Sequence, residues 1–142
     1  MSESLQDRIG SRGLGVLVTL KRDGRPQLSN VSYAYDAAGN LVRVSLTNGR
    51  AKVANLRRDP RASLYVDGPR GRSYVVLEGK AELSPVAAAP DDEVVEELID
   101  LYRHAAGKEH PDWDDYRRAM VEDQRLVFSM SVDHAYGMPT PS

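Results

Sequence analysis

The chain has 142 residues, 41% of them hydrophobic, with 19 Lys and Arg against 21 Asp and Glu for a formal net charge of −2. That length supplies one domain core over residues 1–142 and is too short for two, and the charge balance argues against a nucleic-acid partner, which calls for a basic excess. There is no cysteine, which removes disulfides, thiolate metal sites and a Cys nucleophile and fits a reducing cytoplasm.

The N-terminus, Met1-Ser2-Glu3-Ser4-Leu5-Gln6-Asp7-Arg8, lacks the apolar run of a signal peptide. No later stretch approaches the roughly 20 apolar residues of a membrane span, so no membrane partner is expected. Residues 3–12 read as a short amphipathic helix with Leu5 and Ile9 on one side, ended by Gly10 and Gly13. Leu14 to Leu20 is rich in β-formers, and Asp23-Gly24 after it signals a hairpin turn into an antiparallel second strand, Gln27 to Tyr35. Polar Gln27, Ser29, Asn30 and Ser32 interleave with Leu28, Val31, Tyr33 and Tyr35, so one face either lines a polar cleft or is half exposed. A third strand, Leu41 to Leu46, follows the turn at 36–40.

The stretch from Ser45 to Pro60 breaks a local rule. Asn48-Gly49 makes a turn, Ala51 to Arg58 reads as helix, and Asp59-Pro60 stops it. A helix N-terminus carries partial positive charge and unpaired N–H donors, so Arg50 and Lys52 beside it oppose the dipole, at about 0.3–1 kcal/mol each. An anion seated there reverses the sign, which makes the pair a seat for a phosphate or carboxylate; the competing reading has both cations in water. Arg57 and Arg58 sit at the C-terminal end, where the dipole favours them.

A fourth strand, Ala62 to Val66, and a long fifth, Arg72 to Leu83 with a kink near Gly79, precede a Pro/Ala linker at 84–90. Asp91-Asp92-Glu93 opens a helix whose Val94, Val95, Leu98, Ile99, Leu101 and Tyr102 fall at helical spacing, and Gly107 closes it. A shorter helix from Pro111-Asp112 puts Trp113, Tyr116 and Met120 on one side; Arg125 to Val132 is a last strand and 133–139 a tail. Hairpin-linked strands with one short helix and a later helical pair predict a mainly β (α+β) fold, a small barrel of about six antiparallel strands with short flanking helices.

Chemical signatures are few. His104, His110 and His134 have no partners at metal-ligand spacing, and no Gly-x-Gly-x-x-Gly or Walker-type loop occurs. An anion seat without nucleophile or metal suits a protein that holds a phosphorylated organic cofactor and leaves the chemistry to it.

The segments Gly15 to Leu20, Asp23 to Val31, Gly49 to Leu56, Asp59 to Ala62, Tyr74 to Gly79, Ala88 to Asp92, Asp112 to Arg117 and His134 to Gly137 give the chain its likeness: it resembles the pyridoxamine 5′-phosphate oxidase-like split β-barrel superfamily, of FMN-binding split-barrel type. Within that superfamily it is similar to the actinobacterial oxidoreductases that use the deazaflavin coenzyme F420. The resemblance implies a homodimer with a cofactor cleft at each subunit interface. It implies that Arg50 and Lys52, with Asn55 nearby, hold the cofactor phosphate and acidic tail, and that Pro26, Gln27, Leu28, Ser29, Asn30 and Val31 line the tricyclic ring. Ser45 and Leu46 flank the ring, and Arg72, Ser73 and Tyr74 border the cleft. The implied activity is hydride transfer from reduced coenzyme F420 to an electron-poor small molecule, with Tyr74 or His134 as proton relays and no metal. The alternatives are an FMN-dependent oxidase of pyridoxamine phosphate type and a non-catalytic carrier of coenzyme F420.

Overall fold

The computed structural model describes residues 9–68 and 73–138. Six strands, β1 (Arg12–Leu20), β2 (Pro26–Asp36), β3 (Leu41–Thr47), β4 (Arg61–Asp67), β5 (Tyr74–Leu83) and β6 (Arg125–Met138), close into an antiparallel barrel in the order β1-β2-β3-β6-β5-β4. Helix α1 (Ala51–Arg58) links β3 to β4, and α2 (Glu93–Ala106) and α3 (Trp113–Glu122) lie between β5 and β6. The expected barrel with short flanking helices is therefore the observed fold. Among the described residues no helix is long and apolar enough to cross a membrane.

Alternation in the strands fills the barrel. Leu17, Tyr33, Val42, Val44, Leu46, Leu64, Leu77, Leu126, Phe128 and Met130 are buried in one cluster, so the inward face of every strand is apolar. β6 is covered on both faces: Val127 points outward, with Ala34 of β2, into a second cluster formed with Val95, Leu98, Ile99 and Leu101 of α2 and Tyr116 and Met120 of α3. The continuous apolar run Leu126-Val127-Phe128 is the sequence trace of that double burial.

Capping explains the helix boundaries. Asp92 Oδ1 accepts from the Val95 N–H at 2.9 Å, and its Oδ2 from Ala88 and Ala89 at 2.8 and 3.1 Å. Gly107 ends α2 with φ 70°, a left-handed conformation that glycine takes without strain. Asp112 caps α3 through the Asp115 N–H at 3.1 Å. The β1–β2 hairpin turns at Gly24, φ 86°, and the Asn48-Gly49 turn uses positive φ at Gly49, 89°.

Two expectations change. The helix at 3–12 falls largely outside the described residues, but its end is strand: Arg12 and Gly13 pair with Ala34 and Tyr33 of β2, and the Tyr35 N–H donates to the Ser11 carbonyl at 2.8 Å. Backbone pairing to β2 outweighs the weak helical pattern there. The tail at 133–138 is also strand, since β6 continues to Met138 against β5 as far as Tyr74. Its polar residues hid the strand. The kink expected near Gly79 is a bulge: Glu78 pairs with His134 and Gly79 with Val132, leaving Asp133 as the extra residue. A Cβ at Gly79 would run into the Ser131 carbonyl, and one at Gly137 into that of Tyr74, so both glycines permit the close approach of β5 and β6.

Candidate functional site

Two seams of the barrel are short, β1–β4 and β2–β3, and a cavity opens at the second. β2 and β3 pair only at Ala34↔Arg43, Tyr35↔Val42 and Asp36↔Leu41. Beyond that, Pro26 to Tyr33 pairs with β1, and Val44 to Thr47 with β6. The gap between the diverging strands, roofed by α2 and α3 and reached by the start of α1, is a cavity of about 640 Å³, within the range usual for small-molecule sites.

Its two walls differ in kind. Asn30 and Ser32 of β2, Ser45 and Thr47 of β3, Arg50 and Lys52 at the start of α1, and Arg125 at the start of β6 form a polar wall with three cations. Leu101, Tyr102, Ala105 and Ala106 of α2 and Tyr116 and Met120 of α3 form an apolar wall. Val31 and Leu46 also reach the lining, and among the described residues no carboxylate does.

Local structure fixes the cations where they are. Arg50 is the N-cap of α1 without a side-chain capping bond, and the first turn has no acidic residue. The helix start thus has no side-chain cap and sets its positive end beside two positive side chains, as its sequence indicated. Lys52 Nζ donates to Ser29 Oγ at 3.1 Å. Burial lowers its pKa below the ordinary lysine value, and the charges of Arg50 and Arg125 lower it further. Among the described residues no salt bridge includes Arg50 or Lys52. Among the described residues Arg125 Nε is buried without a hydrogen-bond partner, and it makes a long ion pair with Asp123 at 3.9 Å. Three clustered cations and an orphaned guanidinium N–H are the donor set that an anionic handle satisfies.

The opposite wall is braced by aromatic edges. Tyr102 meets Trp113 and Tyr116 edge-on at ring-centroid distances of 5.6 and 5.2 Å, and Arg103 lies over the Trp113 ring at 4.9 Å. The Tyr116 hydroxyl donates to the Leu98 carbonyl at 2.9 Å, and burial pushes its pKa up to about 12, so it stays protonated at neutral pH. This wall offers shape and apolar surface, and a flat ring system suits it.

Of the residues expected at the site, Asn30, Val31, Ser45, Leu46, Arg50 and Lys52 line the cavity together. Ser29 touches it through Lys52. Asn55 and Gln27 are bound to each other: Asn55 Nδ2 donates to Gln27 Oε1 at 2.6 Å and to Thr19 Oγ1 at 3.1 Å, and Asn55 Oδ1 accepts from Arg58 at 3.0 Å. They moor α1 to β1 and β2, which positions Lys52. Pro26 and Leu28 are exposed on β2 outside the cavity. Ser73 and Tyr74 lie elsewhere, Ser73 buried beside Gly68 and Tyr74 stacked on Tyr65 at 5.7 Å. His134, exposed on β6, has its ring 6.1 Å from that of Tyr136. Arg72 falls outside the described residues.

Residues not expected at the site are Ser32, Thr47, Arg125 and the apolar wall of α2 and α3. Arg125 carries no local signal; it reaches the site because it pairs with Thr47 across β3 and β6. The α2 stripe had a trace in Leu101 and Ala105, spaced by one helical turn.

Residues 1–138 match the family described as pyridoxamine 5′-phosphate oxidase. Among solved structures, one named F420 reductase is 23% identical with a TM-score of 0.60, covering 87% of this chain and 88% of its own. A conserved hypothetical protein of Mycobacterium tuberculosis is 22% identical with a TM-score of 0.73, covering 100% of this chain and 91% of its own. A FAD-binding protein of Mesorhizobium loti is 23% identical with a TM-score of 0.59, covering 87% and 82%. At these identities the structural likeness speaks for the fold.

Proposed function

The chain belongs to the pyridoxamine 5′-phosphate oxidase family, and on that premise we propose that it is an oxidoreductase working through a flavin-type cofactor, with coenzyme F420 as that cofactor and an electron-poor small molecule as hydride acceptor. The observation that carries the reading is the cavity at the parted seam, with three cations and, among the described residues, no carboxylate on one wall and an apolar wall opposite. A phosphorylated tricyclic ring needs both.

In this reading Arg50 and Lys52 hold the phosphate, the helix start adding its unpaired N–H groups. Asn30, Val31, Ser45 and Leu46 border the ring on the strand side, and Leu101 and Tyr102 cover it on the helix side. When bound, coenzyme F420 supplies hydride transfer. The protein contributes orientation, exclusion of water by the apolar wall, and positive charge near the reacting groups. Tyr74 and His134 do not line this cavity; their proposed role as proton relays requires the partner subunit of a homodimer to bring them to it. That assembly is part of the proposal, supported by the exposed apolar side chains Leu14, Leu28, Tyr136 and Met138. FMN is the second reading, favoured by the likeness to a FAD-binding protein.

Titrating the purified protein with coenzyme F420 and with FMN, each followed by its own fluorescence, separates the two. Saturable binding of coenzyme F420, with oxidation of its reduced form on adding quinones or enones under anaerobic conditions, supports the reductase. Tight FMN binding without coenzyme F420 binding moves the reading to the oxidase, and coenzyme F420 binding without turnover on any acceptor moves it to a carrier.

A further inference from the structure

The cavity holds one cation more than the pair expected to seat a phosphate. Arg125 enters it from the start of β6, opposite Thr47. Its Nη1 donates to the Ser45 carbonyl and Oγ at 3.4 and 3.5 Å, long contacts that orient the guanidinium more than they satisfy it. Among the described residues its Nε is buried without an acceptor, and the Asp123 carboxylate stands off at 3.9 Å, beyond hydrogen-bond range.

The charge balance points the same way. Arg50, Lys52 and Arg125 share one cavity wall, and among the described residues no acid lines it. Arg50 and Arg125 both bear on the Lys52 ammonium. Asp123 pairs loosely with Arg125 at 3.9 Å. Even with Asp123 set against Arg125, a singly charged ligand would leave positive charge uncompensated, whereas a di- or trianion would remove the mutual repulsion and could engage the guanidinium through two oxygens.

We infer that Arg125, aimed by Ser45, is a third anion-binding residue of this cavity, and that the cavity selects ligands carrying two or more negative charges over singly charged ones. This rests on the preceding reading for the location of the ligand site, and is independent of which cofactor ring is bound.

The test is thermal unfolding of the full chain in inorganic pyrophosphate, inorganic phosphate or formate, at fixed pH and ionic strength. Pyrophosphate is expected to stabilise the wild type saturably at concentrations about tenfold or more below those of phosphate, with no effect of formate. Arg125→Gln should weaken the pyrophosphate effect by about tenfold to a hundredfold, the usual loss of one charge-assisted contact. Arg125→Lys, which keeps the charge but loses the fork and the packing demand least altered, should fall between the two, and it decides the matter if Arg125→Gln fails to fold by circular dichroism. Ser45→Ala should also weaken pyrophosphate while leaving every charge in place.

Pyrophosphate affinity unchanged in Arg125→Gln or, should that variant not fold, in Arg125→Lys overturns the inference, as does a wild type that pyrophosphate stabilises no better than formate. A parallel titration with coenzyme F420 and FMN separates the two proposals. Arg125-dependent pyrophosphate binding without either cofactor leaves the inference standing and removes the cofactor reading; cofactor binding that needs Lys52 but not Arg125 does the opposite.

Discussion

Two of the six seams of the barrel, β5–β6 and β2–β3, have opposite designs. β5 and β6 pair from Tyr74↔Met138 to Leu83↔Phe128, drawn close by Gly79 and Gly137, whereas β2 and β3 part after Asp36↔Leu41, Tyr35↔Val42 and Ala34↔Arg43. The closed seam satisfies its backbone with itself and leans on the apolar core. The parted seam collects side chains that destabilise one another: an uncapped helix start, a lysine whose pKa is pushed down, and an arginine with an orphaned N–H. Stability is concentrated where the strands are zipped, and binding capacity where they are not.

Breaking the closed side should have the largest effect. Phe128→Ala removes a fully buried ring from the barrel core and should cost about 3–5 kcal/mol, measured by urea or thermal unfolding. On the parted side, Lys52→Ala should weaken cofactor binding by about 1.5–3 kcal/mol in a fluorescence titration while leaving the unfolding midpoint unchanged or raised, because it relieves repulsion. Loss of stability in Lys52→Ala would mean that the cation serves the fold.

Two smaller effects sharpen the contrast. Asp92→Ala removes the cap of α2, the helix that supplies the apolar wall, and should destabilise by about 0.5–2 kcal/mol. Burial raises the pKa of Asp92, but the N–H groups of Ala88, Val95, Ala89 and Val94 outweigh it, and the net shift is downward. A depressed carboxyl pKa contributes stability that is complete above the unfolded value and is lost as pH falls through the folded one. Wild type should therefore lose more stability on acidification than Asp92→Ala, as read by unfolding at neutral and acid pH. The smallest effect concerns alkaline pH: the lowered Lys52 pKa means that anion binding weakens at a pH below that at which an ordinary lysine discharges, and Lys52→Arg should flatten that limb of the affinity profile.

Most of the elements could be read from the sequence, because alternation and turn residues are local signals; β3, α1 and the caps of α2 and α3 follow from Leu41 to Leu46, Gly49, Asp92, Gly107 and Asp112. The end of β6 could not, since Asp133, His134 and Gly137 carry no strand pattern and are held in place by β5. The parted side was half legible. Arg50 and Lys52 stood out by opposing a helix dipole, while Arg125 looked like any arginine before a strand. Only the pairing of β3 with β6 brings it to Ser45 and Lys52, and only tertiary packing turns Leu101, Tyr102, Ala105 and Ala106 from a structural stripe into a cavity wall.

The most direct measurement is a crystal structure of the protein soaked with coenzyme F420 or, if that fails to bind, with FMN. The cofactor phosphate is expected within hydrogen-bond distance of Lys52 and Arg50, with the ring between the parted ends of β2 and β3 and the Leu101–Tyr102 wall. A cofactor bound with its acidic groups away from all three cations, or with the ring outside that gap, would contradict the central claim even with the barrel intact.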